Sequence, residues 1–243
     1  MTGPSTVSAV IEEITALGPF FAVHTHPSGE ELPLPWQVLT PSLLENRVAG
    51  VRDALASAGG QPAAAVETRV AASVVHLGLA ARLVSPALAA AVLRGTVVAP
   101  SLAEVRWQPV VGGPVPLSMA DSAFTTGALD DPDDLADELS TRLLHGSLSE
   151  LVDAVRPFSV SGHILWGNTA SAVNGATTML TAARPDLAAR TRTLATRLLE
   201  RPPLRDASTM APGPGFRRRS CCLIYRAAPG GRGALCGDCV LSR

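Results

Sequence analysis

The chain has 243 residues, with 21 acidic side chains against 20 basic ones and a formal net charge of −1. That balance lacks the strong basic excess of a general nucleic-acid binder, so no nucleic-acid partner is expected, and the length allows one large core or two small ones. All of the basic residues are arginine, which reflects coding composition and carries no functional reading.

Val7, Val10, Ile11, Ile14 and Leu17 recur at helical spacing over residues 5–18, closed by Gly18-Pro19. Glu12 and Glu13 lie in this amphipathic pattern, where a signal peptide would be basic and then apolar, so no secretion signal is expected. A connection rich in proline follows (Pro27, Pro33, Pro35, Pro41) and contains His24-Thr25-His26. Two histidines two residues apart share a face of an extended strand, but no third ligand is adjacent, so a solvent-facing strand is expected. Residues 42–58 and 63–93 read as helices, with Pro86 marking a break or a new start in the second. Arg82 is the only charge between Arg69 and Arg94. Placing it mid-membrane would cost roughly 2.5–3.5 kcal/mol, so a buried helix is expected and no transmembrane segment. His76, on the same apolar stretch, reads as a hydrogen-bonded core histidine.

Val105-Arg106-Trp107-Gln108 and Val115-Pro116-Leu117 flank Gly112-Gly113, which predicts a β-hairpin, confined by its prolines to a sheet edge. A lobe boundary is placed near residue 120, giving an N-terminal helical lobe over 1–120 and a C-terminal helical lobe over 121–205. Asp130-Asp131-Pro132-Asp133-Asp134 has the acidic, proline-containing character of a helix N-terminus, and Leu135, Leu139, Leu143 and Leu144 continue that helix. Residues 161–182 predict a central helix with an apolar stripe (Trp166, Ala170, Val173, Leu180) and a small polar one (Asn168, Ser171, Gly175, Thr178). A buried polar stripe needs partners, so Asn168 is a candidate for holding the C-terminal tail, with an ordinary helix-packing amide as the alternative. Residues 185–200 give a last amphipathic helix, and Pro202-Pro203 with Pro212-Gly213-Pro214-Gly215 mark a linker. The fold class expected is mainly α with a small β-hairpin element (α+β), a helical body followed by a cysteine-rich tail over 216–243.

The four cysteines all lie in that tail: Cys221 and Cys222 adjacent, then Cys236 and Cys239 two residues apart. Four soft thiolates in one short segment suit zinc or an iron–sulfur centre, and disulfides fit less well. Adjacent Cα atoms are about 3.8 Å apart with diverging side chains, so a local kink is required, and two irons accept diverging thiolates more readily than one zinc ion. Arg217, Arg218 and Arg219 place positive charge beside the thiolates, where it would tune the centre or dock a substrate or donor.

The run Arg218-Arg219-Ser220-Cys221-Cys222-Leu223-Ile224-Tyr225-Arg226, a glycine-rich turn, and Leu235-Cys236-Gly237-Asp238-Cys239-Val240 resemble the C-terminal motif of the FhuF-like ferric-siderophore reductases. Leu165-Trp166-Gly167-Asn168 is a second, weaker likeness. The thirteen residues between Cys222 and Cys236 exceed the family's spacing, and the excess falls in Pro229-Gly230-Gly231-Arg232-Gly233, a loop-tolerant stretch. The resemblance implies a [2Fe–2S] cluster on Cys221, Cys222, Cys236 and Cys239. It implies a cytoplasmic oxidoreductase that passes one electron to Fe(III) in a hydroxamate-type siderophore, with no catalytic residue beyond the cluster. Its partners would be the ferric siderophore and an electron donor, either a ferredoxin or a flavin- or NAD(P)H-dependent reductase. The substrate groove is expected between body and tail, lined by Trp107 or Trp166. Two alternatives remain: a zinc-stabilised, non-enzymatic partner-binding module, and a siderophore-binding protein without turnover.

Overall fold

The longest apolar stretch of the sequence becomes the axis of the structure. A computed structural model describes residues 6–110, 112–125, 128–209, 213 and 215–242. The order is α1 (Thr6–Thr15), β1 (His24–His26), β2 (Gln37–Val38), α2 (Pro41–Ala58), α3 (Thr68–Arg94), β3 (Arg106–Trp107) and β4 (Leu117–Ala120). There follow α4 (Pro132–Leu139), a wide π-type segment (Ser140–Leu148), α5 (Ser149–Val155), α6 (Gly162–Ala183) and α7 (Ala188–Leu199). The protein is thus mainly helical with a small sheet, as the sequence pattern predicts. Helices α3 and α6 pack along each other, and one hydrophobic core runs from Val10 to Phe216.

Helix α3 is long and apolar enough to cross a membrane, yet 78% of its most apolar window is buried within the fold. Pro86 lies inside it and does not break it, contrary to expectation. A mid-helix proline costs about 3 kcal/mol, but Pro86 and the alanines after it are fully packed against neighbouring elements, and that burial holds the helix together. The helix ends at Gly95, at φ 63°, with its N–H bonded to Ala91 O at 3.0 Å. The Leu129 backbone lies where a side chain would project, so both conformation and space call for glycine.

Arg82 is 2% exposed and gathers loop carbonyls: Nε donates to Val115 O at 2.7 Å, Nη1 to Pro19 O at 3.1 Å and to Phe20 O, and Nη2 to Ala22 O at 2.5 Å. Burial pushes its pKa down to about 10, so it stays cationic at neutral pH and pins the 19–22 connection and the hairpin to α3.

The strand order is β1-β4-β3-β2, with β1 parallel to β4 and the other pairs antiparallel. The predicted hairpin is β3–β4, with Gly112 and Gly113 at φ 82° and 67°, but it is central and not at an edge. Its prolines fall outside the paired residues, and β1 and β2 cover its two sides. Pairing with β4 also corrects the histidine strand. His26 is buried, 4% exposed, with Nδ1 hydrogen-bonded to Ser118 Oγ at 2.8 Å, while His24 is exposed and meets Trp36 edge-on. The acidic cluster starts α4 as expected: Asp131 accepts from the backbone N–H groups of Asp133 and Asp134 at 2.8 and 3.3 Å.

His76 is buried in the core as predicted, but neither ring nitrogen has a partner. Burial pushes its pKa from 6.5 down to about 3. The folded protein therefore resists a proton that the unfolded chain accepts, so this contribution to stability is complete above pH 6.5 and is lost as pH falls from 6.5 towards 3. Urea unfolding is expected to show it: the stability lost between pH 6.5 and 5 should be smaller by roughly 2 kcal/mol in His76→Leu than in the wild type.

Candidate metal centre

The tail folds back over the α3–α6 pair, and the bonds that hold it are mostly to backbone. Ser208 and Arg218 form an antiparallel bridge; Thr209 N–H donates to Arg217 O and Arg219 N–H to Ala207 O, both at 2.9 Å. Arg218 N–H donates to Asp238 O at 3.1 Å, which brings the Cys236–Cys239 segment beside the strand that precedes Cys221. Gln61 Nε2 donates to Ala227 O at 2.6 Å, and Arg226 pairs with Glu67 at 2.6 Å, tying the intervening loop to the start of α3. Of the predicted linker, Pro212 and Pro214 lie outside the described residues.

The kink that two adjacent thiols require is at Leu223, which adopts a left-handed conformation at φ 69°. Such a conformation costs roughly 1–2 kcal/mol for a residue with a side chain. It turns the chain so that Leu223 N–H points at Cys221 Sγ, 3.3 Å away. On the other side Leu241 N–H points at Cys239 Sγ at 3.4 Å. N–H groups aimed at sulfur stabilise a thiolate or a metal-bound sulfur.

All four cysteines are free thiols, and they meet two by two. Cys222 Sγ and Cys236 Sγ share a hydrogen bond at 3.5 Å, and Cys221 interacts with Cys239. Cys222 and Cys239 are buried, Cys221 and Cys236 partly exposed. The shared hydrogen bond pulls the Cys222 pKa down and pushes that of Cys236 up, so the pair loses its first proton more readily than its second. Cys221 is raised, chiefly by burial. Among the described residues no three His, Cys, Asp or Glu side chains are arranged around one ion. A [2Fe–2S] centre takes two thiolates at each of two irons, and the paired thiols fit that grouping.

The predicted tuning residues separate. Arg217 is half-buried, with Nη1 donating to the carbonyls of Phe216 and Gly237. Arg219 is exposed, with Nε donating to Ser208 O at 3.0 Å. Arg218 is fully buried, and Nη1 donates to Asn168 Oδ1 at 2.5 Å. Asn168 in turn donates Nδ2 to Ser73 O at 2.9 Å and Ser73 Oγ at 3.1 Å on α3.

Three further residues, Gly167 and Asn174 on α6 and Ser73 on α3, have contacts here that the sequence analysis did not assign. Gly167 lies under Ser220, so that a Cβ there would collide with Ser220 Oγ. Asn174 donates Nδ2 to Asp238 Oδ1 at 3.2 Å and accepts from Gly213 N–H at 2.9 Å. Ser73 completes the link to α3. The Leu165–Asn168 likeness pointed at the first; nothing local marks the other two.

A groove of about 490 Å³ lies between body and tail, lined by Gln61 and Glu67 on one side and by Tyr225, Arg226, Gly230 and Gly231 on the other. Neither Trp107 nor Trp166 contributes to it. Trp107 is 2% exposed and lines a separate apolar cavity between α2, α3 and the hairpin, and Trp166 packs against the core.

Residues 218–241 match the family model of the FhuF 2Fe-2S C-terminal domain. The tail is therefore similar to an FhuF-type [2Fe–2S] domain, and the match supports a [2Fe–2S] cluster there and an FhuF-like family for the chain that carries it. No curated protein matches the chain.

Proposed function

We propose that this protein is a cytoplasmic ferric-siderophore reductase that delivers one electron to Fe(III) in a hydroxamate-type chelate, so that iron leaves as Fe(II). The observation that carries this reading is the FhuF-type cysteine set on a tail that shares an open polar groove with the helical body. Cys221, Cys222, Cys236 and Cys239 are its ligands, and a [2Fe–2S] centre bound there supplies one-electron transfer.

The remaining work falls to the chain's own residues. Glu67 in the groove is paired with both Arg69 and Arg226, which leaves that wall with no excess negative charge towards an oxygen-rich chelate. The thirteen-residue spacer, longer than the family pattern, supplies the opposite wall through Tyr225, Gly230 and Gly231. Leu235, Val240 and Leu241, 41–49% exposed, flank Cys236 and Cys239, and Arg217 reaches Gly237 O between those two cysteines at 3.3 Å. An apolar rim with basic neighbours suits an acidic electron carrier such as a ferredoxin.

Stopped-flow mixing of the dithionite-reduced protein with a ferric trihydroxamate tests the proposal. Reoxidation of the protein with stoichiometric Fe(II) release, trapped by a ferrous chelator, is the expected result. Binding of the chelate with reoxidation no faster than the buffer control would identify a siderophore-binding protein without turnover.

A further inference from the structure

Three consecutive arginines precede the cysteine pair, and the fold gives them three different environments. The guanidinium groups of Arg217 and Arg219 reach backbone carbonyls near solvent. Arg218 is 0% exposed; only its Nη1 is engaged, by the neutral amide of Asn168, while Nε and Nη2 have no protein partner. A buried cation without an anion is strongly unfavourable, and so are buried N–H donors without acceptors. Its backbone N–H meets Asp238 O, between Cys236 and Cys239, and its own strand leads into Cys221 and Cys222, so the buried guanidinium belongs to the same small assembly as the four thiols. Asp238, whose backbone carbonyl meets Arg218 N–H, turns its carboxylate to Asn174 instead. The anions left for the free donors are the thiolates and sulfides of a [2Fe–2S] centre.

We infer that Arg218 is the internal counter-cation of that centre and that it governs how readily the centre takes an electron, whereas Arg217 and Arg219 do not. The inference rests on the [2Fe–2S] reading of the tail. Reduction adds one negative charge, and a fixed cation in a low-dielectric site favours the more negative state. Asn168 and Ser73 hold the guanidinium in place from α6 and α3, so the bias is built into the helical body and not into the mobile part of a side chain. Arg219 lies in solvent, where salt screens its charge within about 10 Å at 0.1 M.

The test is a potentiometric titration of the anaerobically purified holoprotein, with dithionite supplying one electron per cluster and visible absorbance and electron paramagnetic resonance as readouts. Arg218→Gln is expected to lower the reduction equilibrium constant about tenfold, which is about 59 mV for a one-electron couple. Arg218→Lys should recover part of the shift, and Arg219→Gln should leave the wild-type value. If Arg218→Gln fails to retain the cluster, the wild-type protein still decides: its potential should hold steady between 0.05 and 0.5 M salt, because a buried charge is not screened. An unchanged potential in Arg218→Gln, an equal shift in Arg219→Gln, or a wild-type potential that falls about tenfold in equilibrium constant with salt overturns the inference. A wild-type protein without the reduced-cluster resonance overturns the cluster reading itself, so the two failures are told apart.

Discussion

Cys222→Ser is expected to lose the cluster absorbance or alter it severely, and to loosen residues 216–243 while the helical body stays folded. The tail has little hydrophobic burial with which to hold itself down. Cys222, Ala227 and Cys239 are its buried apolar residues beyond Phe216, whereas Leu235, Val240 and Leu241 face solvent. Its other ties are single hydrogen bonds, each worth only about 0.5–1.5 kcal/mol net, the partly exposed Arg226–Glu67 pair, and a small apolar contact of Ala227 with Ala56, Val66 and Val70. Metal binding therefore supplies much of the folding free energy of this segment. Replacing the buried member of the 3.5 Å pair removes a ligand and leaves Cys236 without its partner. Iron and sulfide content should fall on the order of tenfold or more, with amide exchange in the tail rising in step. The core from Val10 to Phe216 should keep its thermal transition. Amide exchange in the tail unchanged by loss of the cluster would show that hydrogen bonding alone positions it.

The gathering of the four thiols was legible because residue type and spacing are written locally, and the same holds for the helix start at Asp131, where proline and carboxylates sit in one turn. Positions that depend on distant pairing were not. The hairpin was read as an edge because nothing near residues 105–117 announces that His24–His26, some ninety residues earlier, pairs parallel to β4. That same pairing buries His26. Three identical arginines in a row cannot be ranked by type, but a strand alternates its faces, and the Ser208–Arg218 bridge decides that the middle one points inward. Asn168 was singled out because a polar stripe on an uncharged helix demands partners. Asn174 belongs to the same helix and does comparable work, yet its role depends on where Asp238 and Gly213 come to rest. Trp107 and Trp166 were expected to line a groove between body and tail, but both are drawn into the packing of the body, and the aromatic residue in the concavity there is Tyr225 of the inter-cysteine loop.

Gly167→Leu is expected to separate the stability of the body from that of the metal centre. In isolation the change favours α6, since glycine is less favourable than leucine in a helix interior by somewhat under 1 kcal/mol. At this position, however, Ser220 Oγ lies in the path of a Cβ, Ser220 Cβ is 3.4 Å from it and Arg218 Cβ 4.0 Å. Ser220 is 5% exposed and Arg218 fully buried, so neither can swing into solvent without lifting the strand that leads to Cys221. Overpacking of this kind costs about 1–3 kcal/mol, and it falls on a tail with few other contacts to absorb it. The next residue, Asn168, would lose its bond to Arg218 as the strand moves away. The variant should therefore melt at or above the wild-type temperature by far-ultraviolet circular dichroism while assembling several-fold less [2Fe–2S] centre. Gly175→Ala on the same helix is the control, because no atom lies within 4 Å of a Cβ placed there. It should raise helix stability by up to about 1 kcal/mol and leave cluster content unchanged. If Gly167→Leu assembles as much cluster as Gly175→Ala, the close approach of Ser220 to α6 is not what seats the cysteines.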